Sequence, residues 1–422
     1  MSIADKLTYL AGTKTAIKDA IVAKGVSVGE SDTFRSYAAK VAAIETGPGT
    51  GDHLVRFIDF NGDILKEQYV NNGQNATAPT PPTHQYLTFH SWNRAITNVT
   101  EDRDVGAIYD TTDGKSYLFV TVNAITGLQP TIYLNKSTAA EMTINWGHGD
   151  NSVTSSTGDI TIQKPSEYTA GSYIITITCS GAYNFGQGAA ATAVFSNGSY
   201  AAILTAIYFG ANITSVLGSS LLNCISVRRI SIASAITTIG GGAFSTMRQI
   251  ECIIVPHGVT SLGGSLAQNC FFLKFFVIPI TVTVYTNYLI YINYNVKKLI
   301  IPGSMNTTSQ MFNQMYSLED LQIQGAYTVI SAGMCSSCRA LRSFDAPSTI
   351  TTVQSTAFAD CPNSKEYIFR STTPPTLANI NAFTGINPLC KIYVPDANLT
   401  DYKEATNWAA YAAYIYPLST RP

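Results

Sequence analysis

Leu341-Arg342-Ser343-Phe344-Asp345-Ala346-Pro347-Ser348-Thr349-Ile350-Thr351-Thr352-Val353, followed shortly by Ala357-Phe358-Ala359-Asp360-Cys361, decides the fold. It is one copy of a unit that starts at Leu204, Val227, Ile250, Leu273, Val296, Leu318 and Leu341, a step of 23 residues with one step of 22. A degenerate eighth copy begins at Ser364. Position four reads Ile207, Ile230, Ile253, Phe276, Leu299, Leu321 and Phe344; position six reads Phe209, Ile232, Val255, Ile278, Ile301, Ile323 and Ala346. Position ten adds Ile213, Ile236, Val259, Val282, Met305, Tyr327 and Ile350. Apolar residues two apart mark a strand with one face inward. A short strand repeated at a fixed period stacks into a solenoid whose turns bury their faces only against one another. At ~4.8 Å between strands, seven turns make a parallel sheet about 34 Å long.

This period, with its L-x-x-I-x-I strand, is that of a leucine-rich-repeat solenoid. The quoted stretch resembles the BspA-like leucine-rich repeat in particular. The chain's end resembles that family too, through Thr373-Pro374-Pro375-Thr376-Leu377, Ala382-Phe383, Lys391-Ile392-Tyr393-Val394-Pro395 and Tyr402-Lys403-Glu404-Ala405-Thr406-Asn407-Trp408.

Outside the repeats, composition sets the limits. The 422 residues exceed the ~100–150 of one domain, so several folding units are expected. Charged residues make up 13% and the net charge is −1, which excludes nucleic-acid binding through bulk charge. With 45% hydrophobic residues the chain is not a charged disordered one. The N-terminus carries Asp5 and Lys6 and no apolar run of secretory length, so no signal peptide is expected. Phe271 to Ile292 is the most apolar stretch, but Lys274, Pro279 and Asn287 interrupt it, and no membrane insertion is expected.

The expected fold class is mainly β and multidomain, in five parts. Residues 1–46 form a helical anchor module, with Ile3, Leu7, Leu10, Ile17 and Ile21 on one face and Thr13 as an N-cap after a break at Gly12. Residues 47–53, with Gly47-Pro48-Gly49-Thr50-Gly51, form a linker. Residues 54–111 form a small β module with a hairpin turn at Asn61-Gly62-Asp63. Residues 112–190 form a β-sandwich, with strands at Ser116–Asn123, Thr131–Leu134, Met142–Trp146, Asp159–Gln163 and Ser172–Cys179. Residues 191–422 form the leucine-rich-repeat solenoid with a C-terminal cap.

Three of these parts resemble known modules. Asp59, Gly62, Leu65, Val70, Gly73, Pro79, Pro82, Tyr86, Phe89, Trp92 and Val105 to Tyr109 resemble the internalin-type B-repeat, which implies a β-grasp-like fold. Ile144-Asn145-Trp146-Gly147-His148-Gly149-Asp150 and Tyr168 to Tyr173 resemble PKD-type immunoglobulin-like domains, although His148 stands where that family usually has Asp, so no ion is placed there. Ala4 to Leu10, Thr13 to Lys18 and Thr33 to Val41 resemble a short helical module at the start of phage tail and fibre proteins.

Motifs with chemical potential have structural readings. Cys335-Ser336-Ser337-Cys338 looks like half a zinc site, but position 21 of the repeat runs Cys224, Met247, Cys270, Asn293, Met315, Cys338, Cys361, a buried column in which Cys acts as a small hydrophobe without bridging. His53, His84, His90, His148 and His257 fall in different modules without metal spacing. Gly240-Gly241-Gly242 lies in a repeat turn and not between a strand and a phosphate-binding helix. No catalytic, cofactor-binding or metal residue is assigned.

Outward positions three and five are apolar in the middle turns, at Cys252, Ile254, Phe275, Val277 and Ile300. They form an expected interaction patch for another subunit or a receptor, with a neighbouring module of the same chain, above all the PKD-like one, as the alternative cover. The resemblances together imply a non-enzymatic phage virion protein, a tail or head fibre component assembled in the host cytoplasm. It would anchor by residues 1–46 to other virion proteins and copies of itself, and meet a host receptor or glycan through its β-modules. The alternatives are a bacterial cell-surface leucine-rich-repeat adhesin and a carbohydrate-active or lectin-like module.

Overall fold

The computed structural model describes residues 10–19, 33, 37, 51–123, 128–188, 193, 195, 202–302, 309–325 and 327–421. It is mainly β, with few short helices. The chain divides into two compact units, one of residues 1–56, 66–77 and 96–103, the other of residues 57–65, 78–95 and 104–422.

In the smaller unit, residues 10–19 are one uninterrupted helical stretch, which corrects the expected break at Gly12 and the N-cap at Thr13. Gly12 is tolerated mid-helix at about 1 kcal/mol relative to Ala. Of the expected anchor residues, Leu10 is 53% exposed and Ile17 is half-buried. Ile3, Leu7 and Ile21 lie outside the described residues. Elsewhere in this unit, Val99 exchanges backbone bonds with Gly73 and Gln74, and Ala76 bonds Ile96. Carboxylates close two further links, Leu54 N to Asp102 at 2.8 Å and Asn72 N to Asp52 at 2.8 Å.

Strands β1 (His53–Ile58), β2 (Ile64–Val70), β3 (Leu87–Trp92) and β4 (Arg103–Thr111) form a sheet in the order β2-β1-β4-β3. The expected hairpin turn is present: Asp59 N bonds Asp63 O, and Gly62, at φ 94, bonds back to Asp59 O.

The next seven strands are β5 (Ser116–Val122), β6 (Thr131–Lys136), β7 (Met142–Asn145), β8 (Asn151–Thr154), β9 (Gly158–Gln163), β10 (Gly171–Cys179) and β11 (Tyr183–Phe185). Five match the expected strands to within two residues; β8 and β11, both short, were not legible. Strands β5, β10, β7 and β8 form one sheet and β11, β6 and β9 a second. Trp146 is fully buried in the core, and Tyr168 bonds its carbonyl at 2.5 Å. Asp150 accepts from the ammonium of the buried Lys164, whose charge also lies 4.6 Å over the Tyr168 ring. Asp150, the acidic residue at the end of the Trp146–Asp150 stretch, is thus occupied by an internal cation.

Both sheets run on into the solenoid. Strand β5 pairs antiparallel with Leu204–Tyr208 at the head of the first repeat, and β11 pairs parallel with Ile213–Val216. The residues of both sheets and of every repeat share one apolar core. An open solenoid end would expose unpaired strand edges and the inner faces of its first turn, and these two sheets cover both.

Along the solenoid the register reproduces the period. Ala206 faces Arg229, Cys252 faces Phe275 and Ser343 faces Glu366, each 23 residues on, while Lys298 faces Asp320 at the one 22-residue step. A second ladder pairs Ser215 with Thr238, Thr238 with Ser261 and Ser261 with Val284. Ile230, Ile232, Ile253, Val255, Ile278 and Ile301 are all buried, as expected. The Gly240-Gly241-Gly242 turn is a packing feature, since a Cβ on Gly263 of the next turn would lie 2.0 Å from Gly241 N. At the far end Tyr402, Trp408 and Tyr411 close the core, with Trp408 Nε1 donating to Pro375 O at 2.7 Å and Tyr402 to Ser371 O at 2.9 Å.

Candidate functional site

The expected outward patch is apolar and contiguous, but it does not face outward from the molecule. Cys252, Ile254, Val277 and Ile300 are 1%, 4%, 3% and 4% exposed, and Phe275 is half-buried. Cys252, Ile254 and Val277 share a second apolar cluster with Ile58, Phe60, Leu87, Ala107, Ile108 and Tyr109. This corrects the expectation of a free surface for a subunit or receptor: the small β module packs on it, within a cluster that also takes in Tyr117 of the sandwich. The physical reason is local. Gly106 lets β4 lie directly on Ile254, and Asn93, buried, donates to Val255 O at 3.0 Å and accepts from Gly106 N at 2.7 Å. Asp110 adds two bonds to Ser234, each 2.8 Å, and Arg94 reaches Gln324 at 2.5 Å.

Where this cover ends, at the first two repeats, a cleft of about 450 Å³ opens. Its lining comes from the β1–β2 turn (Phe60, Asn61), the stretch before β3 (His84, Gln85, Tyr86), β5 (Phe119) and the outer face of the first two repeat strands (Thr205, Ala206, Tyr208, Arg228, Arg229). The rings brace one another. Phe60 meets His84 edge-on at 4.9 Å and Tyr208 at 5.6 Å, and Phe119 meets Tyr208 at 4.9 Å. Tyr86 stacks on Tyr117 at 4.6 Å.

Tyr86 has φ 68, in the left-handed region that a bulky side chain enters at about 1–3 kcal/mol. Its carbonyl accepts from Thr112 N at 2.9 Å, which with the Tyr117 stack holds it there. His84 donates or accepts at Asp59 over 2.7 Å, and Asp59 is almost wholly buried. Burial pushes the Tyr208 phenol up, against the pull of the Arg229 hydrogen bond. Burial and the bond to Asp113 push Tyr117 up to about 12, so both phenols are neutral at physiological pH. Both arginines are exposed, and no carboxylate is among the lining residues. The cleft therefore presents ring faces, side-chain amides, a hydroxyl and two positive charges.

All eight cysteines are free and buried, and among the described residues no three His, Cys, Asp or Glu gather as a metal would need. His90 pairs with Asp110 at 2.8 Å. Among the described residues no helix is long and apolar enough to cross a membrane.

The sequence profile of the BspA type leucine rich repeat region matches six copies, over residues 193–315, 273–365 and 305–406, which together span half of the chain. The chain belongs to the BspA-type leucine-rich-repeat family. Among solved structures, this BspA-type protein is similar to a leucine-rich cell surface protein from Faecalibacterium prausnitzii, with 15% identity over 58% of this chain and 87% of that one, at a TM-score of 0.21. A leucine-rich-repeat protein from Eubacterium ventriosum shares 12% identity over 50% and 89% of the two chains, at 0.28. The pneumococcal vaccine antigen PcpA shares 14% over 48% and 50%, at 0.33. No curated protein matches the chain.

Sequence reading missed the cleft because its residues come from five separate stretches. One signal was there: Tyr208 and Arg229 occupy the outward positions five and three of the first two repeats, and Arg228-Arg229 is a paired charge in a chain only 13% charged.

Proposed function

We propose that this BspA-type protein is a non-enzymatic recognition protein that works at a bacterial cell surface as an adhesin. The observation that carries the reading is the cleft. Its rings are fixed by mutual packing, and its lining sets polar groups and two positive charges beside them, which is equipment for holding a ligand. Membership in the BspA-type family supports the solenoid as scaffold. Immunogold labelling of intact producing cells tests the location. Gold on the outer envelope is expected; label confined to the cell interior contradicts it.

A second reading is a phage fibre component anchored through residues 1–46, in which Leu10, 53% exposed on a helical stretch, would meet a virion partner. Label on purified phage particles, absent from cell envelopes, supports that reading instead.

A further inference from the structure

The cleft's volume of about 450 Å³ suits a small ligand and not a folded partner. Three features narrow the chemistry. Tyr86, Phe119 and Tyr208 offer ring faces and edges to a flat apolar surface. Gln85 offers an amide, Asn61, whose amide bonds Asp63, keeps one donor and one acceptor site, and Thr205 Oγ1, which donates to Phe119 O, can still accept, which suits a ligand with hydroxyls. Arg228 and Arg229 supply positive charge with no acidic residue in the lining to neutralise it. Guanidinium groups match a planar carboxylate in shape as well as charge.

We infer that the cleft binds a carboxylated sugar, the acidic end of a glycan, with its ring against Tyr86, Phe119 and Tyr208 and its carboxylate at Arg228 and Arg229. The left-handed backbone at Tyr86 is an independent sign of a built wall. A bulky aromatic in that conformation persists only where the surroundings hold it, and here a stacked ring and a backbone bond do so beside the opening. The inference gives the adhesin reading a ligand class and rests on it for its biological setting. A soluble sugar tests the site without any cell, so the two fail separately.

The experiment is isothermal titration of the full chain with N-acetylneuraminic acid, glucuronic acid, glucose and adenosine monophosphate. Saturable one-to-one binding of at least one acidic sugar is expected, with glucose and the nucleotide at least about tenfold weaker. Arg228→Ala combined with Arg229→Ala is expected to weaken the acidic sugar by about tenfold or more. Both residues are exposed, so the variant's melting temperature should match the parent's. No binding of either acidic sugar, equal binding of glucose, tighter binding of the nucleotide, or an unchanged double variant would each overturn the inference. Binding of acidic sugars by a protein that labels no cell envelope would keep the site and remove the surface reading.

Discussion

A Cβ placed on Gly106 would lie 2.2 Å from Cγ2 of Ile254, so the backbone of β4 lies directly on that solenoid side chain. The other near atoms are Cδ1 and Cγ1 of the same side chain, at 2.9 and 3.0 Å. Gly106→Ala is therefore expected to destabilise by about 1–3 kcal/mol through overpacking. Ile254→Ala removes all three clashing atoms, so the double variant should lose less than the two single losses added together. Urea unfolding of the four proteins measures this, and strict additivity would show that the two residues do not touch.

Asn93 bonds Gly106 and Val255, the chain neighbour of Ile254. Asn93→Leu leaves the Gly106 N–H and the Val255 carbonyl without their side-chain partner. The expected cost is about 1–3 kcal/mol, with faster hydrogen exchange at Gly106 as the local signature. Unchanged exchange there would count against the contact.

Four members of the position-21 column share a hydrogen bond that their polarity does not reveal. Cys270, Asn293, Cys338 and Cys361 each donate to a backbone carbonyl 26 residues earlier, at 3.2, 3.1, 3.1 and 3.1 Å. Met247 and Met315 fill the slot without donating, and where a small donor stands there Asn293 makes the same bond as Cys. Burial pushes Cys224 and Cys270 up to about 12, from 9.0. The folded state keeps these thiols neutral while the unfolded state ionises them, so their contribution is whole below about pH 9 and is lost as pH rises toward 12. Stability is expected to fall across that alkaline window, less steeply in Cys270→Ala. Maleimide mass spectrometry should find no labelled cysteine in the native chain and all eight after unfolding.

Within the stacked ladder, Ile253→Ala should cost about 2–5 kcal/mol, as for other fully buried aliphatic truncations. The melting temperature checks it; a loss below 1 kcal/mol would mean the turn is loosely packed.

What the sequence made legible follows from distance along the chain. The solenoid's register, including the 22-residue step from Lys298 to Asp320, is visible because every repeat reports the same environment again. Apolar Ile254 and Val277 were legible as an unusual outward pair, but not their cover, because Gly106 and Asn93 lie more than 140 residues away with no periodic signal linking them. The continuity of β5 with Leu204–Tyr208 was hidden for the same reason. The cleft was least legible of all. Tyr86 and Arg229 acquire a joint meaning only once the module lies on the repeats.

The most direct test of recognition through the cleft is equilibrium binding of the fluorescently labelled full chain to intact host cells, beside its Arg228→Ala, Arg229→Ala variant. Saturable binding that weakens about tenfold or more in the variant is expected. Equal binding by the two proteins, or none by either, would contradict it.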